Sequence, residues 1–125
     1  MAAKKNVLLV DDRKENILVL ESLLEHLPLT FYKANSGEAA LKILLKEDID
    51  LIFLDVRMSG MNGIETAELI RGMKKTRSIP IIFVSGVIEK EFEQLKKKYP
   101  DNIEYVIKPL DEDVIKRHVA RYLNI

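Results

Sequence analysis

Along the chain, short unbroken apolar runs alternate with longer stretches in which apolar residues return every three or four positions. Ile103–Ile107, broken by Glu104, reads as a further strand, while Asn6–Val10, Leu51–Leu54 and Ile79–Val84 are runs of the first kind. Such brevity without alternation suits strands buried on both faces of a sheet. Leu29–Ala34 alternates weakly and carries Thr30, Phe31 and Tyr32, which suggests a more exposed strand. Between these lie helical spacings. Ile17, Leu20, Leu24 and Leu27 mark a first helix closed by Pro28. Ser36 caps a second that buries Ala40, Ile43 and Leu44. Asn62 and Glu65 form a capping-box pattern ahead of Ile64, Ala67, Ile70 and Met73. A charged fourth helix is predicted over Glu89–Tyr99, ending at Pro100-Asp101-Asn102. Asp111 opens a fifth, with Ile115, Val119 and Tyr122 on its inner face and acids in its first turn.

Strand and helix alternating five times predicts right-handed βαβ units, hence an α/β fold with a parallel sheet covered on both faces. The 125 residues suffice for one domain with a full core, so a single domain over residues 1–125 is expected. Twenty basic residues balance twenty acidic ones, so no overall field recruits nucleic acid or a membrane surface. With no cysteine, disulfides, thiolate nucleophiles and cysteine-bound metals are excluded, and a reducing cytoplasm is the expected location. No run is long enough to span a membrane, and Met1–Lys5 leads into a strand, not a signal-peptide core.

The strand ends carry the chemistry. The first predicted strand runs into Asp11-Asp12, the third into Asp55, the fourth into Ser85 and the fifth into Lys108. In open parallel sheets ligands bind beyond the carboxyl ends of the strands, at the switch point in strand order. Three carboxylates there repel: at roughly 5 Å and an effective dielectric of about 20, each ionised pair costs on the order of 3 kcal/mol. The cluster either raises its pKa values or binds a cation. Oxygen-only donors favour Mg²⁺, Mn²⁺ or Ca²⁺. An aspartate beside such a cation is a candidate phosphoryl acceptor, with Lys108 and Ser85 placed to neutralise and hydrogen-bond the group. Singly, each residue has an ordinary explanation. Asp11 and Asp12 could cap the first helix, Asp55 could serve the turn, Ser85 could close a strand and Lys108 could be a solvated cation. Five such residues on four strand ends outweigh those explanations taken together. His26 and His118 read as ordinary structural residues, His118 beside Ile115, Val119 and Tyr122 with no second ligand nearby; Met58 and Met61 suit the packing of the turn, and Lys74-Lys75 and Lys96–Lys98 read as solvated helix faces.

LLVDD at residues 8–12, FLDVRMSGMNG at 53–63, FVSG at 83–86 and YVIKP at 105–109 together resemble the receiver domain of two-component response regulators, along nearly the whole chain. The resemblance implies a flavodoxin-like (βα)5 doubly wound sheet of order 2-1-3-4-5. It implies a phosphoacceptor at Asp55, charged by a sensor histidine kinase, a phosphotransfer protein or a small acyl phosphate. Mg²⁺, or Mn²⁺, would be held by Asp11, Asp12, Asp55 and the backbone carbonyl of Arg57. Lys108 would pair with a phosphoryl oxygen, Ser85 would turn its hydroxyl to the phosphoryl group, and Tyr105 would swing inward as Ser85 moves. A cis Lys108-Pro109 peptide is also implied. Such a protein assists its own phosphorylation and dephosphorylation without being a conventional turnover enzyme. Its output would pass through the face of the fourth helix, fifth strand and fifth helix, by a changed partner or by homodimerisation.

Departures from the family pattern are Ser59 in place of proline, Ser85 for threonine, Gly86 for alanine, and the stretch KKKYPDNIEYVIKP (96–109), which lacks the usual Gly-Ala pair before the aromatic position. Arg57 and Val87 occupy positions that tune dephosphorylation in relatives. The sequence also allows other readings. A haloacid-dehalogenase-type phosphohydrolase needs a second aspartate where Arg57 stands, and a nucleotide binder needs a phosphate loop that is missing after the first strand. A receiver fold acting as an interaction module without phosphorylation is the remaining alternative. The chain reads as a stand-alone regulator or a module of a longer protein such as a hybrid kinase.

Overall fold

The computed structural model describes residues 4–86 and 90–125. Five strands, β1 (Lys5–Val10), β2 (Leu29–Ala34), β3 (Leu51–Asp55), β4 (Ile81–Ser85) and β5 (Ile103–Ile107), alternate with five helices. The helices are α1 (Lys14–Leu24), α2 (Gly37–Lys46), α3 (Gly63–Gly72), α4 (Lys90–Lys98) and α5 (Glu112–Leu123). All strands are parallel, in the expected order β2-β1-β3-β4-β5.

That order fixes where the helices lie. The step from β1 to β2 runs one way across the sheet, and the steps from β2 to β3, β4 and β5 run the other way. Right-handed crossovers therefore place α1 on one face and α2, α3 and α4 on the opposite face. Strand residues divide accordingly. Leu8, Val10, Ile52, Leu54, Ile81, Phe83 and Ile103 pack toward α2, α3 and α4. Val7, Leu9, Leu51, Phe53, Ile82, Val84 and Val106 pack toward α1 and α5. Because β3 and β4 have neighbours above, below and on both sides, every residue in them is buried, Asp55 and Ser85 included. The edge strand β2 is buried only at its ends, Leu29 and Ala34, and is open or half-open between them, as its mixed composition anticipated.

The helix starts follow their capping residues. The Ser36 hydroxyl accepts from the Ala39 amide at 3.0 Å. Asn62 and Glu65 make both bonds of the capping box, and Asp111 accepts from the amides of Asp113 and Val114. β1 starts one residue earlier than the sequence reading, at Lys5, β3 runs one residue further, to Asp55, and four other boundaries differ. β4 begins at Ile81, since Pro80 has no N–H for the ladder and contributes only its carbonyl, which accepts from the Ile52 amide. α1 ends at Leu24, and Leu27 folds back in a turn onto the Leu24 carbonyl. α3 ends at Gly72, with Met73 as its C-cap. α4 covers Lys90–Lys98, while Glu89 and Val87 lie outside the described residues. No helix among the described residues is long and apolar enough to cross a membrane.

Candidate functional site at the ends of β1, β3, β4 and β5

β1 and β3 are neighbours, but the chain leaves them toward opposite faces of the sheet, so a cleft opens where they part. Asp11 and Asp12 follow the last residue of β1, and Asp55 is the last residue of β3. One carboxylate oxygen from each of the three lies within 4.8 Å of the others. Asp11 and Asp55 are buried, whereas Asp12 is exposed at the rim. Neither acid on β1 is the cap of α1: the N-cap is Arg13, with no side-chain bond of its own. Asp11 instead accepts from the Arg13 amide at 2.9 Å, which fixes its carboxylate as the chain turns into the helix.

Burial is the main cause that raises the pKa of Asp55, to about 6. The Asp11 charge adds to the rise and Asp12 adds less, while Lys108 and the Arg57 amide oppose it. The site therefore holds net negative charge only partly offset by Lys108, and its rim acid Asp12 lines a cleft of about 630 Å³ together with Arg57, Ser59, Asn62 and Glu91 among others. A compact all-oxygen donor set of this charge fits a hard divalent cation such as Mg²⁺.

Two features here were not legible as site features in the sequence. Ser59, noted only as a substitute for proline, donates to Asp12 from its amide at 3.1 Å and from its hydroxyl at 3.4 Å. A proline would lack that N–H. Gly63 lies against the backbone of the acceptor strand. A Cβ there would stand 2.1 Å from the Asp55 carbonyl oxygen and 2.9 Å from Val56 Cα, and its amide donates to the Val56 carbonyl at 2.8 Å. The first turn of α3 thus holds Asp55 in place from behind.

Across the cleft, Ser85 is buried at the end of β4, and its carbonyl accepts from the Lys108 amide at 2.8 Å. Lys108, half-buried, is joined to Pro109 by a cis peptide as expected. Tyr105, on β5, is half-buried with its ring 4.8 Å from that of Phe92 on α4 and 6.4 Å from that of Phe83 on β4. Met58 is buried in the core, as anticipated for the turn. His26 is exposed and His118 half-buried, and neither joins the acid cluster. The run Lys96–Lys98 is a correction: Lys97 and Lys98 are exposed, but Lys96 is half-buried and donates to the Ile103 carbonyl.

An α/β sheet of order 2-1-3-4-5 with an acid trio at its switch point and a lysine opposite is the architecture of a signalling receiver. The sequence profile of the response regulator receiver domain matches residues 7–120, and the chain belongs to that family. Among proteins of similar sequence, a probable cyclic di-GMP phosphodiesterase of Vibrio cholerae is 35% identical over 120 residues, which cover 94% of this chain and 26% of that protein. The transcriptional regulatory protein ZraR of Escherichia coli is 31% identical (94% and 26%), and the sensor protein GacS of Pseudomonas syringae is 30% identical (95% and 13%). The chain thus spans about a quarter or less of the length of these relatives. Among solved structures, the chemotaxis protein CheY4 of Vibrio cholerae is similar with a TM-score of 0.86 at 24% identity, covering 96% of this chain and 99% of that one. The receiver domain of the sensor histidine kinase PA1611 of Pseudomonas aeruginosa, with magnesium in its active-site cleft, has a TM-score of 0.84 at 24% identity (98% and 100%). At that identity these likenesses establish the fold.

Proposed function

We propose that the chain is a phosphoryl-accepting switch, in which Asp55 takes a phosphoryl group from a phosphohistidine on a sensor histidine kinase or phosphotransfer protein. The observation that carries this reading is the buried Asp55 carboxylate at the end of β3, with oxygens of two further carboxylates within 4.8 Å and the charge of Lys108 acting on it. A carboxylate oxygen of Asp55 attacks phosphorus as the bond to the donor's imidazole nitrogen breaks, and the imidazole leaves with the bonding pair. With a small acyl phosphate the breaking bond is P–O and a carboxylate leaves. Asp11, Asp12, Asp55 and the Arg57 carbonyl would hold Mg²⁺, which would supply charge neutralisation for the phosphoryl oxygens. Mn²⁺ meets the same donor requirements. Lys108 pairs with one phosphoryl oxygen and the Ser85 hydroxyl donates to another. The same groups assist hydrolysis of the acyl phosphate, so the protein resets itself without being a turnover enzyme.

The modified site carries roughly −1.5 to −2 further charges and three strong acceptors. Drawing Ser85 toward them changes the packing beneath Tyr105, whose ring contacts Phe92 and so couples the end of β4 to α4. The face of α4, β5 and α5 then presents differently to an output partner or to a second copy of the chain. Ile107, the last residue of β5, is an exposed apolar side chain there. A cytoplasmic setting, where kinases of this class transfer phosphate, suits the balanced charge and absent cysteines.

Titration with Mg²⁺, followed by nuclear magnetic resonance, tests the cation site and the switch together. Mg²⁺ is expected to shift the amides of Asp12, Asp55 and Arg57, and Asp12→Asn to weaken binding by about tenfold or more. Beryllofluoride with Mg²⁺ is expected to move Ser85, Tyr105 and the α4 amides as well. Saturating Mg²⁺ and beryllofluoride without any shift would leave an interaction module that does not use phosphate.

A further inference from the structure

We infer that Arg71 is a positioning residue for the α4–β5 edge: its buried guanidinium pins the chain where α4 runs into β5, so that α4 pivots about its C-terminal end. Arg71 sits in the last turn of α3 and is only 5% exposed. Its Nη2 donates to the Asn102 carbonyl at 3.1 Å. Its Nη1 is buried without a partner, the one such side-chain atom among the described residues. Burial pushes its pKa down, and the nearby Tyr99 phenol acts in the opposite direction. A buried cation with an unmade hydrogen bond is costly, and such groups in a folded protein call for a specific reason.

The reason lies in what Arg71 holds. The Asn102 carbonyl also accepts from the Ile81 amide at 2.9 Å, so one oxygen joins α3, the start of β4 and the lead-in to β5. Asn102 has a left-handed backbone with φ of 61°, and its side-chain amide donates to the Ser78 carbonyl at 3.4 Å. This residue supplies the tight turn for which the family more often uses a Gly-Ala pair, since Asn tolerates that conformation better than most residues. One position on, the Ile103 carbonyl accepts from Lys96 of α4. Two cations, from α3 and α4, thus grip consecutive carbonyls at the lead-in to β5.

Only four residues, Tyr99–Asn102, join α4 to β5, so fixing Asn102 fixes the end of α4. Along its length α4 buries just Phe92 and Leu95, which leaves a large share of its restraint to this grip. At the opposite end of the sheet, just after β4, Gly86 is exposed, and an added Cβ there would meet nothing within 4 Å. The pin itself is a property of the resting chain. Its use in signalling rests on the reading of α4, β5 and α5 as the switched face.

Hydrogen exchange resolved by residue, on the full chain without ligands, tests the pin. The reporters are the Tyr99 amide, bonded to the Leu95 carbonyl, and the Ile81 amide, bonded to the Asn102 carbonyl. Arg71→Met is expected to speed exchange at both by about tenfold more than in β1 and α5, whose amides report global stability. Arg71→Lys, which keeps a donor, is expected to restore both to within about threefold of the wild type. Uniform acceleration throughout, or none at the two reporters, would overturn the assignment. If Arg71→Met fails to fold, Arg71→Gln takes its place: selective loss of protection at both reporters supports the pin, and uniform loss or wild-type protection there overturns it. Neither outcome depends on phosphorylation, so failure of the pin and failure of the switch are separable.

Discussion

Replacing Asp55 by asparagine is expected to stabilise the cation-free protein at pH 8 by about 2 kcal/mol, although the residue is the proposed reactive centre. The reason is the mismatch between its two titrations: its pKa lies at about 6 in the fold, against 3.8 for an ordinary aspartate side chain. Below pH 3.8 the carboxyl is neutral in both states, and the stability associated with it is fully present. As pH rises toward 6 the unfolded chain releases its proton while the folded site resists, so stability is lost across that window. Above pH 6 the folded state carries the whole penalty, roughly 3 kcal/mol for the full difference and less with water reaching the rim. Asparagine keeps the size and the acceptor facing the Arg57 amide and removes the charge. Urea unfolding at pH 3.5 and pH 8 checks this, with near-equal stabilities at the lower pH and a gap at the higher. Added Mg²⁺ should narrow the gap by stabilising the wild type alone. A wild type at least as stable as Asp55→Asn at pH 8 without divalent cations would mean the site is not strained by its charge.

The second large effect concerns Gly63. Its requirement is for space, because the atoms a methyl would strike are the Asp55 carbonyl and the Val56 Cα, which are backbone and cannot rotate away. Gly63→Ala must push α3 off the acceptor strand, at a cost of about 3 kcal/mol, toward the upper end of overpacking effects. The matched control is Gly72→Ala at the end of the same helix, where nothing lies within 4 Å of an added Cβ. Relief of backbone entropy should leave that variant neutral or more stable by about 0.5 kcal/mol. Urea midpoints and slopes for the pair provide the check. A Gly63→Ala variant within about 0.5 kcal/mol of the wild type would show that α3 does not hold Asp55 from behind. If the damage reaches the site, the variant also binds Mg²⁺ more weakly.

The contrast between these glycines shows what the sequence could and could not convey. Asn62-Gly63 reads as a turn followed by a capped helix, and both features are present. The sequence does not reveal that Gly63 ends up beneath Asp55, because that contact follows from how α3 lands on β3. The central strands β3 and β4 were legible because burial on both faces leaves a continuous apolar run, and the edge strand β5, interrupted by Glu104, still matches its predicted limits residue for residue. Asp11, Asp12, Asp55, Ser85 and Lys108 were legible for a related reason: a polar residue closing each run must lie at one rim of a parallel sheet. Lys96 and Arg71 were hidden. Each has a long aliphatic stem that follows apolar surface before its charge finds a carbonyl, so each looks like a solvated helix position in a periodicity reading. The replaced Gly-Ala pair was visible as a departure, but its solution, a left-handed Asn102 under a buried guanidinium, depends on α3 and β4 being alongside. Local pattern thus marked the reactive groups, while the supports behind them came from tertiary packing.

The most direct test of the switch is the intact mass of the protein after incubation with Mg²⁺ and acetyl phosphate, beside Asp55→Asn under the same conditions. One added phosphoryl group on the wild type, absent from the variant and lost on chelation of Mg²⁺ before the donor is added, is the expected result. A phosphoryl group that appears equally on Asp55→Asn, or a wild type left unmodified both by acetyl phosphate and by a phosphorylated histidine kinase, would contradict Asp55 as the acceptor.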